Sequence, residues 1–114
     1  MTVKILIADK LAPEGADFLN HAGAVEVTTR TGLAGEELIE ALAGHDGVIV
    51  RSETQITAKV LDETMSRPQS RLKAIARAGV GVDNIDLDAA TRMGIAVMNS
   101  ASASTITTAE HAFA

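Results

Sequence analysis

The sequence predicts an α/β domain, a doubly wound parallel sheet of five strands in three α/β/α layers. Two observations carry that expectation. Short apolar runs enriched in β-branched residues alternate with stretches of helical spacing along most of the chain. The core must also be built from Ala, Val, Ile and Leu, because 114 residues contain two phenylalanines and neither tryptophan nor tyrosine. Small aliphatic side chains suit closely packed strands and helices better than a sandwich of two sheets.

Val3 to Ala8 opens the chain as an apolar run ending at Asp9, and Pro13 to Ala22 carries helical spacing through Ala16, Leu19 and Ala22. Gly23 closes that helix, and Val25 to Thr28 supplies a second strand. Gly35 to Ala43 places Leu38, Ile39 and Leu42 on one helical face before Gly44, while Glu36, Glu37 and Glu40 form a solvated face. Val48 to Val50 is the third strand. Thr57 caps a helix running to about Ser66, with Val60, Leu61 and Met65 on one side and Pro68 beyond its end. Leu72 to Ala76 is the fourth strand. Asp86 to Met93 is a helix packed through Ala89 and Ala90 and stopped by Gly94, and Ile95 to Met98 is the fifth strand. A last helix starts at Ser104 or Thr105, where Thr107 and Glu110 stand at capping-box spacing. Right-handed crossovers between such strands give a parallel sheet, for which the flavodoxin-like order 2-1-3-4-5 is expected.

Composition narrows the function. Fifteen acidic and ten basic residues give a formal charge of -5, so no diffuse attraction to nucleic acid or to an anionic membrane is expected. The absence of cysteine excludes disulfides and thiolate metal sites. No apolar stretch reaches the roughly 18 residues of a membrane span. Met1 to Ile5 enters a strand at once without the layout of a signal peptide, so a cytoplasmic protein is expected.

The exceptional polar residues fall at the carboxyl ends of the predicted strands, where open parallel sheets bind ligands. Asp9 follows the first strand, Arg51 and Ser52 the third, Arg77, Gly79 and Gly81 the fourth, and Asn99 with the serines the fifth. Two guanidinium groups, glycine-freed amides and hydroxyls are the donors that hold a carboxylate or a phosphate. Gly79-Val80-Gly81 falls short of the dinucleotide fingerprint G-x-G-x-x-G because position 84 is asparagine. Asp83, Asn84 and Asp86 could hold a cation, although Asp and Asn before a helix more often cap it. His21, His45 and His111 lack partners at telling distances and read as structural or solvent-facing.

Val50-Arg51-Ser52-Glu53-Thr54, the run Arg77 to Asp86, the run Ala89 to Ile95, and Met98-Asn99 to Ala109-Glu110-His111 resemble, in order and spacing, the N-terminal portion of the D-2-hydroxyacid dehydrogenases. Among these the D-3-phosphoglycerate dehydrogenases are nearest. The resemblance implies that residues 1–103 form most of a substrate-binding domain and that residues 104–114 begin a helix crossing to a separate Rossmann domain that binds NAD. It implies that the amides of Val80 and Gly81, beside Gly79, hold the carboxylate of a small anionic 2-hydroxyacid. Arg51 and Arg77 then meet the phosphate end of a substrate such as 3-phosphoglycerate, with Ser52 nearby and Asn99 to Ser104 as the adjoining wall. Ala101 and Ser104 stand where phosphoglycerate dehydrogenases usually carry proline and asparagine, which leaves the particular hydroxyacid open. The family's G-x-G-x-x-G and its catalytic Arg, Glu and His lie downstream of residue 114, and His111 is not that histidine. The expectation is a substrate-domain fragment that binds no NAD and transfers no hydride alone. It is also expected to pair as a homodimer, through the uncovered sheet face or residues 105–114. The alternative is a stand-alone flavodoxin-like binding or signalling module. Against it, a receiver domain needs more acids after the first strand than Asp9 and a lysine after the fifth, and a flavin carrier needs aromatic rings.

Overall fold

The computed structural model describes residues 3–9, 25–51, 53–78 and 84–100. The helices expected at 13–22 and from 104 or 105 lie outside them. The described elements are β1 (Val3–Ile7), β2 (Val25–Thr29), α1 (Gly35–Ala43), β3 (Gly47–Val50), α2 (Ala58–Met65), β4 (Ala74–Ala78), α3 (Leu87–Arg92) and β5 (Ala96–Ser100). The five strands form one sheet in the order β2-β1-β3-β4-β5, and every pairing is parallel. This is the expected flavodoxin-like order.

β1 and β3 lie inside the sheet, so their sequences are continuous apolar runs rather than alternations. Their alternate residues feed two separate cores. Leu6, Val48 and Ile75 stand in register across three strands, and with Val50 they meet Leu38, Leu42, Leu61, Ala89 and Ala90 from the three helices. On the opposite face Ile7, Ile49 and Ala76 stand in register beside Ile5, packed by Val25, Val27 and Met98. The steps β2 to β3, β3 to β4 and β4 to β5 all cross the sheet in one direction, so right-handed connections place α1, α2 and α3 on one face. The step from β1 to β2 runs the other way, through residues outside the described set.

Local chemistry sets the helix ends. The Thr57 hydroxyl accepts from the Val60 amide at 3.2 Å, and the Asp86 carboxylate accepts from the Ala89 amide at 2.9 Å. Each side chain satisfies one amide that its helix start would leave orphaned. Gly94, at φ +74°, ends α3 in the left-handed region that lacks a penalty only for glycine. Among the described residues no helix is long and apolar enough to cross a membrane.

One strand departs from the sequence expectation in a way that matters to the site. The β4 ladder starts at Ala74, not Leu72, because the Arg71 amide bonds the Ala43 carbonyl and the Lys73 amide bonds that of Asp46. Leu72 is buried in the helix-side core. Pairing continues through Arg77 and Ala78, so Arg77 and Asn99 lie within the last rungs of β4 and β5 rather than after them.

Candidate anion-binding site

The carboxyl end of the central strands is held by one buried network. Asp9, two residues beyond the end of β1 and 2% exposed, accepts at Oδ2 from the amides of Arg51 at 2.7 Å and Thr54 at 3.1 Å. Its Oδ1 accepts from the Thr54 hydroxyl at 2.5 Å. Three donors therefore surround a carboxylate that burial would otherwise penalise heavily. They fix the turn after β3 that carries Arg51, whose side chain is exposed.

Asn84 grips the same turn from the other side. Its Nδ2 donates to the carbonyls of Arg51 at 2.6 Å and Thr54 at 2.7 Å, and its Oδ1 accepts from Arg77 Nε at 2.8 Å. The orientation of this amide is determined by its partners, since two carbonyls can only accept and an arginine Nε–H can only donate. Ile56 and Ile85 form a parallel bridge beside it, closed by the Ile56 amide on the Asn84 carbonyl at 2.8 Å and the Asp86 amide on the Ile56 carbonyl at 2.9 Å. An open depression of about 220 Å³ lies there, lined by Gln55, Ile56, Thr57, Asn84, Ile85 and Asp86.

Arg77 shares its rung with Val50, whose side chain lies in the helix-side core, and it is only 8% exposed. A guanidinium so buried must have its donors engaged, and Asn84 takes Nε. Thus the structure brings the Arg51 backbone and the Arg77 side chain together through one asparagine. Ser52, Gly79, Val80, Gly81 and Ser104 lie outside the described residues, as does the side chain of Asn99.

Of the candidate cation ligands Asp83, Asn84 and Asp86, Asp83 lies outside the described residues, and the other two are engaged elsewhere. Asp86 caps α3, and the Asn84 oxygen faces a guanidinium, which repels a metal ion. Among the described residues no group of three or more His, Asp or Glu side chains could hold a metal. His45 is structural, its Nδ1 lying 2.6 Å from the Ala41 carbonyl near the end of α1.

A second polar cluster occupies the amino edge of the sheet. Asp46 takes a two-point contact from Arg71, with Nε to Oδ1 and Nη2 to Oδ2 both at 2.9 Å, and accepts from the Lys4 amide at 2.8 Å. Burial pushes its pKa up, but the Arg71 and Lys4 hydrogen bonds, with the charges of Arg71 and Lys73, hold it below the ordinary aspartate value. This cluster ties the starts of β1, β3 and β4 together.

A parallel sheet in the order 2-1-3-4-5, with one arginine beyond its central strand and another buried in the last rungs of the neighbour, defines a flavodoxin-like α/β domain with cationic groups at the carboxyl ends of its strands. The chain belongs to the D-isomer specific 2-hydroxyacid dehydrogenases, for the model of that family's catalytic domain matches residues 5–114. It is 43% identical over 112 residues to the D-3-phosphoglycerate dehydrogenase of Archaeoglobus fulgidus, covering 98% of this chain and 20% of the relative. The human D-3-phosphoglycerate dehydrogenase is 42% identical over 107 residues, with 94% of this chain and 19% of that protein covered. The NAD⁺-bound crystal structure of the Entamoeba histolytica 3-phosphoglycerate dehydrogenase superposes with a TM-score of 0.70 at 32% identity, covering 87% of this chain and 33% of that one. The chain thus spans about a fifth of the length of these curated relatives.

Proposed function

We propose that this chain supplies the substrate side of an NAD-dependent 2-hydroxyacid dehydrogenase that oxidises a small anionic 2-hydroxyacid, 3-phosphoglycerate being the leading candidate, to a 2-oxoacid. In this reading residues 1–103 form the substrate-binding portion and residues 104–114 begin the helix leading out of it. Arg51 and Arg77 meet the phosphate end of the substrate, the amides of Val80 and Gly81 beside Gly79 take its carboxylate, and Ser52, Asn99 and Ser104 line the rest. The observation that supports it best is the Asn84 link between the Arg51 turn and the Arg77 guanidinium, at the strand ends where parallel sheets bind ligands. The relatives carry the names of phosphoglycerate dehydrogenases.

NAD does not fit the residues present. β1 runs into the buried anion Asp9 where a dinucleotide site needs a glycine turn open to pyrophosphate, and the sequence contains no G-x-G-x-x-G. The chain's own part is to bind and orient: the Arg77 guanidinium, held by Asn84, and the Arg51 side chain, carried on a fixed turn, neutralise the ligand's charge. On this reading the isolated chain binds its ligand weakly, reduces no NAD, and pairs as a homodimer. Titrating 3-phosphoglycerate into the ¹⁵N-labelled chain tests the site. Shifts at Arg51, Arg77, Val80 and Gly81 at millimolar ligand are expected, and unmoved amides at all four would overturn the proposal.

A further inference from the structure

The binding roles above leave Asn84 unassigned, yet its side chain joins the Arg51 backbone to the Arg77 guanidinium. Its two Nδ2 protons are spent on the Arg51 and Thr54 carbonyls and its Oδ1 on Arg77 Nε, at distances of 2.6, 2.7 and 2.8 Å. The residue is 6% exposed, so these bonds are made away from bulk water. It sits beside the Ile56–Ile85 bridge, which fixes its backbone to the segment that follows the Arg51 turn. A guanidinium bonded at Nε cannot swivel freely about its terminal torsion, so Asn84 constrains the plane of Arg77. The same amide sets the path of the chain that carries Arg51.

No other ordinary side chain does both. Aspartate would turn a carboxylate oxygen toward two carbonyls, leucine would make none of the three bonds, and glutamine is one methylene too long for the gap. We propose that Asn84 is a positioning residue for ligand binding, fixing the plane of Arg77 and the turn of Arg51 relative to each other so that one anion meets both. The inference rests on the substrate-side reading of the two arginines. Asn84 then acts in part through Arg77, so its effect must be smaller when that arginine is absent.

The test is a double-substitution cycle on the ¹⁵N-labelled chain, with 3-phosphoglycerate as the probe. Asn84→Leu is expected to weaken binding about tenfold, the value of one charge-assisted hydrogen bond. In an Arg77→Met background the same change is expected to cost clearly less, because only the hold on the Arg51 turn is left to lose. Unchanged affinity in Asn84→Leu, or an equal loss in both backgrounds, would overturn the role, the second outcome marking a merely structural residue. Should Asn84→Leu fail to fold, the Arg77 Nε–Hε signal of the unsubstituted chain decides: slow exchange with solvent is expected, and exchange as fast as that of a free arginine would overturn the inference. Failure of the unsubstituted chain to bind 3-phosphoglycerate removes the substrate-side reading itself. Binding indifferent to Asn84 removes only this one.

Discussion

Replacing Asp9 puts the buried network to a quantitative test. Asp9→Ala leaves the Arg51 and Thr54 amides without their acceptor and opens a small void, while the Thr54 hydroxyl can still turn to the Ala8 carbonyl at 3.3 Å. Each orphaned buried donor costs about 1–3 kcal/mol, and the exposed Arg51 side of the turn admits water to one of the two, so the loss should be about 3 kcal/mol. Asp9→Asn retains an oxygen for both amides and turns its NH₂ toward Thr54, which then donates to Ala8 and accepts from the new amide. That variant loses only the charge and should cost about 1 kcal/mol. With no tryptophan or tyrosine in the chain, urea unfolding is best followed by circular dichroism. At an m-value of about 1.5 kcal/mol/M, the midpoint should fall by about 2 M for Asp9→Ala and about 0.7 M for Asp9→Asn. Equal midpoints for the two variants, or a loss below about 0.5 kcal/mol in Asp9→Ala, would refute the idea that this carboxylate organises the turn.

Other outcomes follow from the same structure. The Asp46 carboxyl titrates below its ordinary value when folded, so its contribution is complete above the unfolded value and is lost as the pH falls from about 4 through the folded value. Asp46→Asn should therefore lower the urea midpoint at neutral pH, and its stability should fall less steeply between about pH 5 and 3 than that of the parent. The Thr64 hydroxyl is fully buried in α2 and has no hydrogen-bond partner among the described residues, so Thr64→Val should raise stability by about 1 kcal/mol, read as a higher melting temperature. Gly94 has open space around an added Cβ but sits at φ +74°, so Gly94→Ala should cost about 1 kcal/mol from backbone strain alone, measured by urea unfolding.

The sheet was legible because its signals are local. Val48-Ile49-Val50 is a short apolar run that only a buried strand explains, Thr57 and Asp86 are caps with the spacing that caps need, and Gly94 is a helix stop. The start of β4 was not, because Leu72 looks more like a strand residue than Ala74 or Ala78 does, and pairing is decided by register against β3 and β5 rather than by side-chain preference. The placement of Arg51, Asp9 and Arg77 at the carboxyl edge was readable from strand order. What joins them was not. Asn84 reads in sequence as a helix cap beside Asp86, and Thr54 as an ordinary loop residue, since the bonds from Asn84 to Thr54 and from Thr54 to Asp9 span 30 and 45 residues. The Asp46–Arg71 pair, 25 residues apart, was missed for the same reason.

The central claim is that the carboxyl end of β3 and β4 binds a small organic anion. A crystal structure of the chain soaked with millimolar 3-phosphoglycerate tests it most directly, because the molecule offers cations at both ends of the sheet. The account predicts ligand density between Arg51 and Arg77, with Asn84 keeping its three bonds. Density instead at the amino edge, beside Lys4, Arg71 and Lys73, or no ordered ligand at either end, would contradict it.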